Sequence, residues 1–129
     1  MRTAKQLSVF LENKPGTLAM MCDQLAAREI NILAMSVGDT VDYAVVRLVV
    51  NKPDEAAHLL GEAGTLVVEN EVVLADLPHQ IGSLGEMAKR LSDAGVNVEY
   101  AYCTAAETQE NAVIVFRVKD TEAAISALS

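Results

Sequence analysis

The sequence predicts an α+β fold of two tandem ferredoxin-like βαββαβ units, each an antiparallel sheet with its helices on one face, the second unit lacking its last strand. Three observations carry that expectation. The chain repeats itself: Gly16 set over Gly82 also sets Leu18 over Leu84, Met21 over Met87, Leu25 over Leu91, Asn31 over Asn97 and Ile32 over Val98. Within each copy the apolar period changes from that of a strand to that of a helix across a turn containing Pro and Gly. A length of 129 residues, about half of them apolar, suits one ordinary domain or two small ones packed together.

In "QLSVFLE", Leu7, Val9 and Leu11 alternate with less apolar neighbours, the period of a half-buried strand. From Thr17 to Arg28, Leu18, Met21 and Leu25 form one helical stripe, repeated by Leu84, Met87 and Leu91, so these methionines read as core. Asn31 and Asn97 lead into "INILAMSV" and "VNVEYAYC", each followed by a polar turn ("GDTVD", "AAETQEN") and a β-branched run, the pattern of a hairpin. Pro53 opens a second helix, with Asp54 and Glu55 favouring its positive end. "TLVVEN" closes the unit as a fourth strand. The second copy starts at "EVVLADL", and its Glu122-Ala123-Ala124 matches Glu55-Ala56-Ala57 before Ser129. The predicted units are residues 1–70 and 71–129. The edge at "EVVLADL" then needs cover from the first copy's strand or from another subunit, which predicts a homodimer.

The formal charge of -8 argues against nucleic acid as partner, because phosphate binding draws on clustered Lys and Arg. An RNA-binding version of this topology would also need aromatics on its central strands. The N-terminus "MRTAKQLSVF" has neither a cleavage pattern nor a membrane-length apolar run, so a cytoplasmic protein with no membrane partner is expected. Cys22 and Cys103 stand apart, without a C-x-x-C, and read as small buried hydrophobes. That spacing also excludes a copper carrier. An acyl-phosphate hydrolase of this shape would resemble its family by an Arg in the loop after the first strand, and neither loop has one. With His58 and His79 on different elements and no metal-ligand spacing, no catalytic residue, metal ion or cofactor is expected.

The turn in "FLENKPGTLAMM" carries the candidate site. A helix start leaves backbone N–H groups without partners at the positive pole of the dipole, and binds an anion unless the sequence supplies one. From Pro15 to Cys22 there is no acid; Gly16 leaves room for an anionic group and Lys14 adds a positive charge beside it. In the second copy Ser83 and Glu86 have capping-box spacing, Leu77 replaces Lys14 and Asp76 replaces Asn13. One loop thus offers open donors and the other a carboxylate, and an α-amino acid has one group for each.

The segment "LSVFLENKPGTLAMMCDQLAAREINI" resembles the opening of an ACT domain, the small amino-acid-sensing module: a first strand, an Asn/Asp-x-Pro-Gly-x-Leu turn, a helix, and an Asn-Ile or Asn-Val entry to the second strand. The resemblance extends over nearly the whole chain as two units, with "DLPHQIGSL" as a stretched second motif. It implies that a small amino acid binds at an interface of paired ACT units, between the turn and helix start of one and the second strand of its neighbour. Carried over by position, it points to Asn13, Pro15, Gly16, Thr17 and Leu18, and to Asp76, Ile81, Gly82, Ser83 and Leu84. Ala34, Met35, Ser36, Tyr100 and Tyr102 on the second strands would wall a site for a medium-sized apolar amino acid.

The expected function is therefore a non-catalytic regulatory or sensor protein that binds a small amino acid. The alternative is an interaction subunit that docks on an amino-acid metabolic enzyme without a ligand of its own. A third reading, a small hydrolase or isomerase, would use Asp76 and His79 as acid and base.

Overall fold

The computed structural model describes residues 1–104 and 111–129. Chain order is β1 (Arg2–Glu12), α1 (Thr17–Ala27), β2 (Ile32–Asp39), β3 (Tyr43–Val50), α2 (Pro53–Glu62), β4 (Leu66–Pro78), α3 (Ser83–Asp93), β5 (Tyr100–Cys103), β6 (Asn111–Arg117) and α4 (Thr121–Leu128). This is an α+β protein of two ferredoxin-like units, and the strand pairs described below are antiparallel. One compact unit comprises Lys5–Asn70; the other comprises Glu71–Ser129 together with Met1–Ala4.

In the Lys5–Asn70 unit, β3 lies between β2 and β1, with Leu7 opposite Leu48, Val9 opposite Val46 and Met35 opposite Leu48. The alternation of Leu7, Val9 and Leu11 puts all three on the face covered by the helices, where Val46, Leu48 and Val50 join them. From above, α1 contributes Met21 and Leu25, and α2 contributes Ala56 and Leu60, each pair four residues apart on one stripe. The first member of the expected stripe departs from it. Leu18 is 37% exposed, and the buried residues of α1 are Met21 and Leu25 alone.

In the other unit, β6 lies between β4 and β5, with Val73 opposite Phe116, Asp76 opposite Val113 and Tyr102 opposite Val115. Its core gathers Val73, Ala75, Ile114, Phe116 and Val118 beneath Leu91 of α3 and Ala124 and Leu128 of α4. Leu84 is exposed, as its counterpart Leu18 is. The strand expected from "VNVEYAYC" is confined to Tyr100–Cys103, and the turn expected at "AAETQEN" falls at 105–110, outside the described residues.

Two further expectations are corrected. "TLVVEN" and "EVVLADL" form one continuous strand of 13 residues, with the boundary between the units at Asn70 and Glu71 inside it. Cys103 is exposed, since it falls on the outward phase of β5, while Cys22 is half-buried against the first core.

Helix ends repeat as faithfully as the cores. After α1, α2 and α3 a residue with positive φ turns the chain, and the next N–H donates to the carbonyl of the last buried leucine: Ile30 to Leu25, Thr65 to Leu60 and Val96 to Leu91. These are Schellman closures. Glycine takes the left-handed position in two of them (Gly64, Gly95), and Glu29 takes it in the first.

Candidate functional site

The turn between β1 and α1 is tied down from both sides. The Asn13 backbone N–H donates to the Asp42 carbonyl at 3.0 Å and its side-chain amide to the Thr40 carbonyl at 3.4 Å, holding the turn to the β2–β3 hairpin. The Thr17 hydroxyl donates backwards, to the carbonyls of Glu12 at 2.8 Å and Lys14 at 3.2 Å, and so does not cap its own helix. Gly16 is the N-cap residue, at φ 92. An added Cβ there would meet nothing within 4 Å, so glycine is required by the backbone angle and not by crowding.

No side chain hydrogen-bonds to the start of α1, and its first turn holds no acid. The other helices differ. At α4 the Asp120 carboxylate accepts from the Ala123 N–H at 3.0 Å, and α2 opens with Asp54 and Glu55. The opening of α1 thus keeps the positive pole of its dipole uncompensated by its own side chains. The charge beside it is smaller than the sequence suggests: the Lys14 ammonium lies 3.1 Å from the Glu12 carboxylate, both well exposed.

The second turn shows the same backbone. Gly82 caps α3 at φ 89, again with no side-chain cap bond. The capping box expected from Ser83 and Glu86 is not formed, because Ser83 is already the first helical residue and its spacing to Glu86 is one position out of phase with a cap. Glu86 remains in the first turn as a charge. Asp76, at the exposed end of β4, and His79, in the turn, share no hydrogen bond among the described residues, so the acid–base pair has no geometric support. Ile81 projects fully into solvent.

Beside the start of α1 lies a groove of about 620 Å³, entirely within the Lys5–Asn70 unit. The end of β1 supplies Leu11 and Glu12, and the turn supplies Lys14. One face of α1 supplies Thr17, Met20 and Gln24, and the loop from α2 into β4 supplies Gly64, Thr65 and Leu66. Of the residues expected at the site, Lys14 and Thr17 line this groove. Asn13, Pro15 and Gly16 stand in the adjoining turn and Leu18 in the first turn of α1, and Met35, at 40% exposure, lies on β2; none of these lines the groove. Met20 and Gln24 also line the groove and are not among the residues expected from the sequence. They sit one helical turn apart, off the buried stripe of Met21 and Leu25, which is the signal that could have marked a second face.

Among the described residues, no three His, Cys, Asp or Glu side chains cluster as metal ligands, and no helix is long and apolar enough to cross a membrane.

The profile of a family described as the ACT domain pair matches residues 2–128. Among solved structures, the chain is similar to a protein of Bacteroides thetaiotaomicron at 34% identity and a TM-score of 0.90, over 98% of this chain and 86% of that one. Its fold is also that of the ligand-free regulatory subunit of aspartate kinase from Thermus thermophilus, at 18% identity and a TM-score of 0.68, over 99% and 95% of the two chains. The regulatory subunit of aspartate kinase from Thermus flavus is similar at 19% identity and a TM-score of 0.67, over 98% and 90%. No curated protein matches the chain. The turn geometry, the duplicated fold and a family match over almost every residue agree, and the chain belongs to the ACT domain pair family.

Proposed function

We propose that this protein is a non-catalytic regulator that binds a free amino acid at the start of α1, with the effector's carboxylate on the opening N–H groups and Lys14 beside it. The supporting observation is the left-handed Gly16 cap with neither a side-chain bond nor an acid in the first turn, in a chain that caps α4 with its own Asp120. Anions bind helix starts of this kind through backbone donors and the dipole together. By the ACT resemblance, the second wall would be strand β2, with Met35, of a paired unit in a homodimer. Titration calorimetry against the twenty amino acids tests the reading: wild-type protein binds at least one of them, and Gly16→Val and Asn13→Ala weaken that binding. Silence across the panel would refute it.

A second reading, docking on an amino-acid metabolic enzyme, is favoured by the exposed Leu33, Met35 and Val37 along β2, an apolar edge without a charge between Ile32 and Gly38. Co-purification of such an enzyme, undiminished by Gly16→Val, would support docking without an effector.

A further inference from the structure

We infer that the groove beside α1 is the side-chain pocket of the effector, and that it selects an amino acid with a large apolar side chain. The inference rests on the amino-acid-binding reading and extends it from where the charged groups bind to which amino acid is bound.

The size fits first. A volume of about 620 Å³ lies within the range of small-molecule pockets and far exceeds what the α-groups of glycine or alanine would fill. The distribution of charge then orients the occupant. Glu12 and Lys14 are the only charged side chains in the lining, and they sit together at the turn, 3.1 Å apart. A zwitterion can replace each partner for the other, carboxylate to Lys14 and ammonium to Glu12, and an exposed ion pair of this kind opens at little cost.

The rest of the lining is uncharged and includes Leu11, Met20, Met21 and Leu66, with the neutral Gln24 and Thr65. No charged group there would meet an acidic or basic effector side chain. Met20 and Leu66, from α1 and the start of β4, both line the groove and are 64% and 63% exposed. A large apolar side chain lying between them would remove both from water, and the thioether of Met20 adapts to its shape. The side chains of Gln24 and Thr65 make no hydrogen bond among the described residues. They leave polar contacts at the rim without demanding a charge inside.

The test is calorimetric titration of the full chain with glycine, L-alanine, L-leucine, L-methionine and L-phenylalanine, repeated on Met20→Glu and Leu66→Glu. Both substitutions lie on exposed positions, and thermal melts confirm that each variant folds. The expected result is at least a tenfold preference of the wild type for a large apolar amino acid over alanine, and a collapse of that preference in both variants. Preference for glycine or alanine, or a preference that both variants retain, overturns the groove assignment while leaving amino-acid binding intact. Binding of none of the five overturns the groove assignment. If other amino acids in the full panel bind, the regulatory reading survives; if none does, it falls as well. Silence accompanied by loss of a dimer in Met20→Glu, read by sedimentation, would give the groove to a second copy of the chain instead.

Discussion

Glu29 and Gly95 occupy the same place in the two copies and hold the same left-handed backbone, at φ 56 and φ 73. Each sits between a buried leucine at the end of its helix and an apolar residue whose N–H closes back on that leucine's carbonyl. A non-glycine residue in this conformation carries strain of roughly 1–2 kcal/mol, partly offset by the lower entropy of its unfolded chain. Glu29→Gly is therefore expected to stabilise the protein by about 0.5–1 kcal/mol. Gly95→Glu should destabilise it by a similar or larger amount. Paired chemical-denaturation curves check both signs.

The caps make a second contrast. Asp120 bonds to an N–H in the first turn of α4, and Asp120→Ala should cost about 1 kcal/mol. Ser83 is inside α3 and bonds to no cap position, so Ser83→Ala should change stability by no more than a few tenths of a kcal/mol, the range of an ordinary helix substitution. A Ser83→Ala loss as large as that of Asp120→Ala would reinstate the capping box.

A third prediction concerns alkaline pH. The Lys5 ammonium is raised above its ordinary 10.5, chiefly by its hydrogen bond to Asp54 at 2.6 Å, then by the charge of Asp54 and of Glu69. A group whose folded pKa is raised lends stability that is present in full below its unfolded value and is lost as pH climbs through the folded one. Stability should therefore decline above about pH 10.5 with a contribution from Lys5, and Asp54→Asn should make that decline shallower. All three side chains are exposed, so the effect is small and is best read as a difference between two pH titrations of the melting temperature.

The edge formed by β2 carries the fourth. Leu33, Met35 and Val37 are exposed on a strand with no charge between Ile32 and Gly38, in a protein of net charge -8. Self-association of such a chain is opposed by like charge, and least so at an uncharged stretch. In the proposed homodimer this edge is covered, and Met35→Lys should shift sedimentation toward the monomer with little change in the melting temperature of the monomer itself. An unchanged dimer would place the interface elsewhere.

The parts legible in the sequence are those set by local periodicity. Met21 and Leu25, Ala56 and Leu60, and Leu7, Val9 and Leu11 lie in the core as their spacing requires, because an apolar face must be buried. Strand β1 also buries Gln6 and Ser8, at the alternate positions, and so is not the half-buried strand its alternation predicts. The misreadings arose where two local patterns competed or where partners are distant. Ser83 and Glu86 have the spacing of a capping box, but Gly82 takes the left-handed position one residue earlier and claims the cap. Asn70 and Glu71 look like a break between strands, yet extended backbone tolerates polar residues at positions facing solvent, and β4 runs through them. Lys14 reads as a free charge in the sequence because Glu12 stands on the other side of the turn, which folds the two together. The groove was illegible for a different reason. Its walls, Met20 and Leu66, belong to elements that only the tertiary fold brings near one another.

The most direct measurement follows the backbone amides of Thr17, Leu18 and Ala19 by NMR during titration with whichever amino acid binds most tightly. An effector carboxylate at the start of α1 should move these three resonances further than those of Asp54 and Glu55 at the start of α2, with one common dissociation constant. If an amino acid binds while the α1 amides stay still, the site is not at this helix start and the central claim is wrong.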